Sequence, residues 1–187
     1  MYTRLGAFRR PFGWVSRFRA AYPAMLIFGV GACASEPPPP QPVFASVAKS
    51  APLQFQYQLT DGRSWLASES LRGRPTVLGF LTSYDVASQA QARFLNGIAQ
   101  RLSGRVHVGA VMLERIENRP LIIAFQGGLD LGYPVAMGDA ELIAGRGPFG
   151  DVHAVPATVV LDAEARLVWK KFGLAAEQEI ERVLQGL

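Results

Sequence analysis

The single cysteine of the chain, Cys33, is the first residue whose type could do chemistry. One cysteine cannot form an internal disulfide, and it cannot build a cysteine-clustered zinc or iron–sulfur site. Nucleophilic or redox sulfur chemistry requires a thiolate. Any thiol chemistry in this chain must therefore use Cys33 itself.

The two histidines and one glycine-rich segment are the next candidates. Neither His107 nor His153 has a cysteine or a cluster of carboxylates beside it, so the sequence predicts no metal site. Residues 145–150 (GRGPFG) match the dinucleotide pattern G-x-G-x-x-G, which binds pyrophosphate only between a strand and a helix. Because residues 151–156 do not resemble a helix start, we predict a flexible loop there and no cofactor.

The basic charge of the chain is concentrated at its N-terminus. The formal net charge is +4, with 19 Lys and Arg against 15 Asp and Glu. Residues 1–32 hold five arginines and no acid, and removing those five leaves 14 basic residues against 15 acidic ones. Since both signs are spread evenly over the remainder, we expect no nucleic-acid binding.

The same N-terminal region predicts export. Residues 24–32 form an apolar run that is too short to cross a bilayer as a helix, which needs about 20 residues. Arginines before a short apolar run and small residues after it are typical of a signal peptide, which we place at residues 1–32. The Arg9-Arg10 pair leaves a twin-arginine export route as an alternative.

The residues around Cys33 resemble the lipobox of bacterial lipoproteins. In Val30-Gly31-Ala32-Cys33, an aliphatic residue and two small residues precede a cysteine. The resemblance implies a diacylated Cys33 that anchors the chain to the membrane as its mature N-terminus. Ala34, rather than Asp, then favours the outer membrane, facing the periplasm. The alternatives are ordinary secretory cleavage with an unmodified thiol and a retained membrane helix.

A proline-rich tether and one domain follow. Residues 33–51 contain the run Pro37-Pro38-Pro39-Pro40, which favours an extended, partly stiff chain. Residues 52–187 form a length of chain typical of a single domain. Hydrophobic periodicity there predicts strands at 54–59, 64–66, 76–81, 105–113, 157–161 and 167–172. It also predicts one helix after residue 84, a second over 119–129 with Asn118 as its cap, and a third at the C-terminus. The order predicts an α/β fold, in which a central mixed sheet is flanked by helices and preceded by a β-hairpin.

Three segments resemble the thioredoxin superfamily, in particular its TlpA/ResA-like and redoxin branch of exported thiol-disulfide proteins. Residues 71–81 are similar to the segment that leads into the family's active-site strand, residues 154–162 to the stretch that carries its cis-proline, and residues 171–173 to the end of its last strand. The resemblance covers about 53–187. It implies a thioredoxin-like fold and a cis bond between Val155 and Pro156.

The centre of the family motif is changed in this chain. Where the family has Trp-Cys-x-x-Cys, this chain has Tyr84-Asp85-Val86-Ala87-Ser88, so both cysteines are absent. Neither Asp85 nor Ser88 can supply sulfur redox chemistry. We predict that Asp85 caps the helix and that Ser88 assists in its first turn. The alternative is a non-thiol enzyme site built from Asp85, Ser88 and His153.

The resemblance also indicates a binding surface. In active members of the family, the cis-proline loop receives an extended polypeptide. A groove formed by Tyr84, Asp85, Val155 and Pro156 could still bind a peptide without reacting with it. The sequence therefore favours an envelope-anchored, redox-inactive module that binds an envelope protein or extended peptide. A thiol-disulfide oxidoreductase, as the family implies, is the alternative.

Overall fold

The structure, a computed structural model, describes residues 51–187. Strands β1 (Gln56–Gln58) and β2 (Trp65–Ala67) form an antiparallel hairpin. The central sheet contains β3 (Thr76–Leu81), β4 (His107–Met112), β5 (Val135–Met137), β6 (Ala157–Leu161) and β7 (Leu167–Phe172), in the spatial order β5-β4-β3-β6-β7. The β3, β4 and β5 strands are parallel, and β6 is antiparallel to both β3 and β7. The predicted mixed sheet with an N-terminal hairpin is confirmed.

Strand β3 lies at the centre of this sheet because every residue in it can be buried. Its sequence, TVLGFL, carries branched, aliphatic and aromatic side chains, and all six residues are buried. Successive side chains point to opposite faces, so Val77 and Leu81 join one core cluster while Leu78 and Phe80 join the other. This central strand ends at Leu81, directly before the changed motif.

Three of the four α-helices cover one face of the sheet. The helices are α1 (Val86–Arg101), α2 (Arg119–Gly128), α3 (Ala140–Ile143) and α4 (Glu177–Gln185), and α1, α2 and α4 lie on this face. Leu95 of α1, Ile122 of α2 and Ile180 of α4 are fully buried in the cluster that contains Val77. The helix predicted over 119–129 is confirmed, with Leu129 as its C-cap.

The hairpin, α3 and the glycine-rich segment cover the other face. Phe149, from that segment, is fully buried, and its ring centroid lies 4.9 Å from those of both Phe55 and Phe80. Residues 145–150 lie outside the helices and strands, so the predicted loop is confirmed. The sequence did not predict that the Phe149 side chain packs this loop against the core.

Three local predictions need correction. The first strand is shorter than predicted and covers only Gln56–Gln58, while Leu59 beyond it forms an isolated bridge to Ala136 of β5. The periodicity missed β5 and α3, since elements of three and four residues are too short to show a period. Asn118 precedes α2 as predicted, but its side chain donates to a carboxylate oxygen of Glu114 instead of accepting from the helix amides.

The predicted signal peptide, Cys33 and all but the last residue of the predicted tether lie outside the described residues. The chain enters the domain at Leu53, whose amide donates to the carbonyl of Ala165 in the β6–β7 turn. That turn is at the end of the sheet where β3 begins, because Leu161 pairs with Thr76. No helix within residues 51–187 is long and apolar enough to cross a membrane.

Candidate functional site

Asp85 occupies the N-cap position of α1, as predicted. Its φ and ψ of −100° and 127° are extended, so the carboxylate folds back over the first turn. It accepts hydrogen bonds from the amides of Ala87, at 3.3 Å, and Ser88, at 2.7 Å. Two amides that have no partner within the helix are thereby satisfied.

The hydroxyl of Ser88 completes this network. Ser88 is fully buried; its Oγ donates to the Asp85 carboxylate at 2.8 Å and accepts from the Thr82 amide at 3.2 Å. The hydrogen bond from this hydroxyl, followed by those from the Ser88 and Ala87 amides, lowers the pKa of Asp85 below its ordinary value. Both capacities of the hydroxyl are used in holding the end of β3 to the start of α1.

The cis-proline loop faces this helix start. The Val155–Pro156 peptide bond is cis, as the resemblance implies. A cleft of about 370 Å³, which we call the cis-proline cleft, is lined by Thr82, Tyr84, Ile143, Val152, His153 and Val155 among others. The structure therefore brings Tyr84 and Val155 to one cleft, whereas Asp85 and Pro156 are not among the residues that line it, and Asp85 belongs to the cap network.

His153 lies at the rim of the same cleft and has a different partner. Its Nδ1 is 3.0 Å from a carboxylate oxygen of Asp151, and its ring packs 4.6 Å from that of Phe172. Within residues 51–187, His153 makes no hydrogen bond to Asp85 or Ser88. The three residues of the alternative enzyme site are therefore divided between the capping network and the rim pair.

Sequence reasoning missed a buried carboxylate next to the motif. Glu114 follows β4 and is only 3% exposed. One of its oxygens accepts from the Ser83 amide, and the other accepts from the Asn118 side chain at 2.9 Å. Glu114 thus fixes the residue before Tyr84 to the turn ahead of α2. An isolated Glu after a predicted strand gives no sequence signal of this role.

Tyr84 lines the cis-proline cleft and also a second cleft of similar volume. The second cleft lies between α1 and α2 and is lined by Ser83, Tyr84, Gln89, Leu121, Phe125 and Leu129, together with Gly128. Tyr84 is 73% exposed, and Val86 and Leu121 are also exposed. An exposed aromatic ring between two clefts is a suitable anchor for a polypeptide partner.

The described residues offer no cluster for a metal ion. No group of three or more His, Cys, Asp or Glu side chains that could hold one occurs in residues 51–187. His107 begins β4 opposite Thr76, whereas His153 precedes the end of β6 that pairs with Phe80. The two histidines therefore lie at opposite ends of the sheet.

Comparison with solved structures places this arrangement among known folds. A secreted disulfide oxidoreductase of Mycobacterium tuberculosis, homologous to E. coli DsbE, is 20% identical, with a TM-score of 0.59 over 72% of this chain and 96% of that one. An exposed lipoprotein thioredoxin from Streptococcus pneumoniae is 20% identical, with a TM-score of 0.61 over 72% and 99%. A DsbF homologue from Corynebacterium diphtheriae is 14% identical, with a TM-score of 0.65 over 74% and 87%.

This chain has a thioredoxin-like fold. The matches cover nearly the whole of two of these neighbours, and they confirm the fold that the sequence resemblance implies. No family model and no curated protein sequence matches the chain. Because the identities are 14–20%, the likeness establishes the fold, and the activity must be argued from the residues of this chain.

Proposed function

We propose that this chain is an envelope-anchored, redox-inactive thioredoxin-like protein that binds an envelope protein or extended peptide. The observation that carries the proposal is the hydrogen-bonded pair of Asp85 and Ser88, which occupies the motif where the resemblance places two cysteines. The pair stabilises the start of α1 and contains no sulfur. What remains for function is the surface around Tyr84 and the cis-proline loop.

The chemistry of disulfide exchange supports this reading. Exchange needs an attacking thiolate and a second sulfur that resolves the mixed disulfide. The only sulfur nucleophile of the chain is Cys33, which lies in the proposed lipobox and outside the motif. The three structural neighbours named above include a disulfide oxidoreductase and a thioredoxin, so we treat this activity as the competing function to be tested.

The surface chemistry favours a polypeptide partner. Tyr84 and Val155 meet at the cis-proline cleft, and Tyr84 presents most of its ring to solvent. Aromatic anchors beside clefts contribute a large share of binding energy in protein interfaces. An extended peptide that lies along Val155 in this cleft would also meet Tyr84, because both residues line it.

Binding is tested by replacing the two side chains that line this surface. Tyr84→Ala and Val155→Asp should each reduce partner capture by site-specific photocrosslinking in the native envelope. The first variant removes the exposed aromatic ring, and the second places a negative charge in the groove. Trp65→Ala is the matched control, since Trp65 is also an exposed aromatic residue, at 51%, but lies on the hairpin. Unchanged capture by both groove variants would contradict the binding proposal.

Redox inactivity has its own assay. Purified protein should give no reduction of insulin above background when a thiol donor is supplied, because no residue of the motif can form a mixed disulfide. The variant Asp85→Cys/Ser88→Cys, which restores both sulfurs, tests whether the fold would support exchange. Sustained turnover by the unmodified chain would establish the oxidoreductase alternative.

Anchoring is proposed to depend on acylation of Cys33. One structural neighbour is described as an exposed lipoprotein, which is in keeping with the lipobox resemblance. Cys33→Ser should abolish labelling by a fatty-acid analogue and release the protein from the membrane fraction, because two or more acyl chains are needed for a stable anchor. Ala34 favours the outer membrane, facing the periplasm. Membrane retention of Cys33→Ser together with continued labelling would refute the lipoprotein proposal.

A further inference from the structure

The solvent-exposed residues of α2 are all apolar. They are Pro120, Leu121, Ile123, Ala124, Gly127 and Gly128, which we call the α2 face. Leu121 and Ile123 are 60% and 49% exposed, although a helix on the surface of a domain normally turns charged and polar residues to solvent. Because these residues are exposed, no other part of residues 51–187 covers them. An apolar helix face that the domain leaves open indicates an interaction surface.

Two residues of the α2 face have no reason within the domain to be glycine. Neither Gly127 nor Gly128 has a positive φ, and a Cβ added to either would meet no atom within 4 Å. Inside a helix, glycine is less favourable than alanine because it loses more conformational entropy on folding. Backbone conformation and internal packing therefore do not explain the two glycines. They make the end of the helix flat, so a second molecule can come close to it.

The size of the side chains on this face decreases along the helix. Leu121 lies near its start, Ala124 at its middle and Gly128 at its end, and the spacing of three and four residues puts them on one side. When a second copy of α2 crosses Ala124 in the antiparallel direction, the leucine of each copy lies against the glycines of the other. A twofold pair of identical chains needs a surface that is complementary to itself in this way.

The second cleft provides space for the leucine of the other copy. It adjoins Gly128, and its volume is about 370 Å³. Each copy then contributes one protruding side chain, Leu121, and one cleft that receives it. Among their lining residues, the second cleft and the cis-proline cleft have only Tyr84 in common, so the contact leaves Val155 accessible.

The two ends of α2 carry opposite charges, which favours an antiparallel pair. Arg119 begins the helix, and Asp130 follows its C-cap. The Arg119 guanidinium donates to the carbonyl of Thr60, and the Asp130 carboxylate makes no ion pair among residues 51–187. Antiparallel pairing brings the positive end of each helix near the negative end of the other, whereas parallel pairing brings like charges together.

We propose that the α2 face is a homodimer interface, in which two copies of this chain pack their α2 helices antiparallel across Ala124. A helix of ten residues is about 15 Å long, so this contact is smaller than the roughly 800 Å² per partner of a typical stable interface. We therefore expect a dissociation constant on the order of micromolar. Copies held on one membrane, as proposed for Cys33, meet at a higher effective concentration.

Ala124→Cys tests the pairing in intact envelopes. Two cysteines at the twofold axis come within disulfide distance, about 5.5–6 Å between their Cα atoms, when the helices cross at this residue. Mild oxidation should therefore give a disulfide-linked dimer of the chain. Gln178→Cys is the matched control, because Gln178 is exposed on α4, and its crosslinking should not exceed that of the unmodified chain.

Charged substitutions test the same axis in the purified protein. Ala124→Glu and Ala124→Lys each place two like charges across the axis, and both change an exposed residue. Sedimentation equilibrium of the full mature chain in a density-matched detergent should show a dissociation constant raised at least about 10-fold in each variant. An equimolar mixture of the two variants should recover association, because opposite charges then meet.

The double variant Gly127→Ala/Gly128→Ala separates association from folding. Alanine favours the helix and its Cβ has room, so the urea midpoint of the diluted monomer should rise. The dissociation constant should also rise, by about 10-fold, because the added methyl groups occupy the place of the other copy's leucine. A merely structural role of the glycines would give the opposite sign in the urea experiment.

The outcomes are distinct. A chain that stays monomeric through the concentration series would overturn the proposal, and so would a dimer that Ala124→Glu or the glycine double variant leaves unchanged. Crosslinking of Ala124→Cys to a different protein, and not to a second copy, would also overturn it and would assign the α2 face to that protein. The proposal requires a dimer that is weakened in each charged variant and recovered in their mixture.

Discussion

The capping network at the start of α1 leads to a quantitative prediction for Asp85→Ala. The carboxylate accepts from the Ala87 amide, the Ser88 amide and the Ser88 hydroxyl. Loss of an N-cap costs about 1 kcal/mol of folding free energy. The Ser88 hydroxyl is buried and loses its acceptor, which costs about a further 1 kcal/mol. We therefore expect Asp85→Ala to lower the free energy of unfolding by about 2 kcal/mol at pH 7.

Asp85→Asn is the matched control for this change. An amide oxygen can still accept from the Ser88 amide and hydroxyl, so the change removes the longer bond from the Ala87 amide, at 3.3 Å, and the interaction of the negative charge with the helix N-terminus. That term is about 0.5 kcal/mol for a group at the surface. Urea unfolding followed by circular dichroism measures both differences in the free energy of unfolding. The slope of this free energy against urea concentration should be the same in all three proteins. A loss of unfolding free energy under about 0.5 kcal/mol in Asp85→Ala would refute the reasoning. So would a loss in Asp85→Asn as large as that in Asp85→Ala.

The pH dependence of the same pair checks the electrostatic part. The hydrogen bond from the Ser88 hydroxyl is the main cause that lowers the pKa of Asp85 in the folded chain below its ordinary value of 3.8. A carboxyl whose pKa is depressed by folding stabilises the folded state above its unfolded pKa, and this stabilisation is lost as the pH falls through the folded pKa. The difference between the unmodified chain and Asp85→Asn should therefore be constant from pH 7 to 5 and decrease below pH 3.8.

Two further substitutions test the packing that holds α1 in place. Gln91 is fully buried, and its side chain donates to the carbonyl of Ala175 and accepts from the amide of Ala175. Gln91→Leu leaves both of these buried backbone groups unpaired, so it should lower the free energy of unfolding in urea by about 2–4 kcal/mol. A loss under about 1 kcal/mol would show that these groups find other partners. A Cβ at Gly79 would lie 2.5 Å from Cδ1 of Leu95, so Gly79→Ala should lower the free energy of unfolding by about 1–3 kcal/mol. The double variant Gly79→Ala/Leu95→Ala should lose less stability than the sum of the two single variants. Additive losses would argue against a clash between these two side chains.

The sequence predicts those parts of the fold whose signals are local and repeated. Strand β3 and helices α1, α2 and α4 have enough turns or buried residues for their hydrophobic period to be read. The β5 strand, of three residues, is defined instead by its pairing with β4 and by the bridge from Leu59. Its existence depends on tertiary contacts that no local window contains.

The same distinction applies to the site. Asp85 as a cap is a local prediction, because the helix that it begins lies next to it in the chain. The bond between the Thr82 amide and the buried Ser88 hydroxyl, and the burial of Glu114 beside Ser83, depend on how β3, β4 and α1 meet. The pairing of His153 with Asp151 is likewise decided by the path of the loop before β6. Sequence alone identified the residues of the motif but left their partners open.

The changed motif retains one physical property of a cysteine motif and lacks another. A helix N-terminus stabilises negative charge through its unpaired amides and its dipole, and this field acts on a carboxylate as it does on a thiolate. Asp85 therefore satisfies the electrostatic requirement of the position, with a lowered pKa and two amides to bond. A carboxylate cannot form a disulfide, so the stability of this helix start does not require the chemistry of sulfur. A thioredoxin-like fold without the two cysteines is consistent with both facts, and it leaves Tyr84 and the cis-proline loop as the surface on which function must be sought.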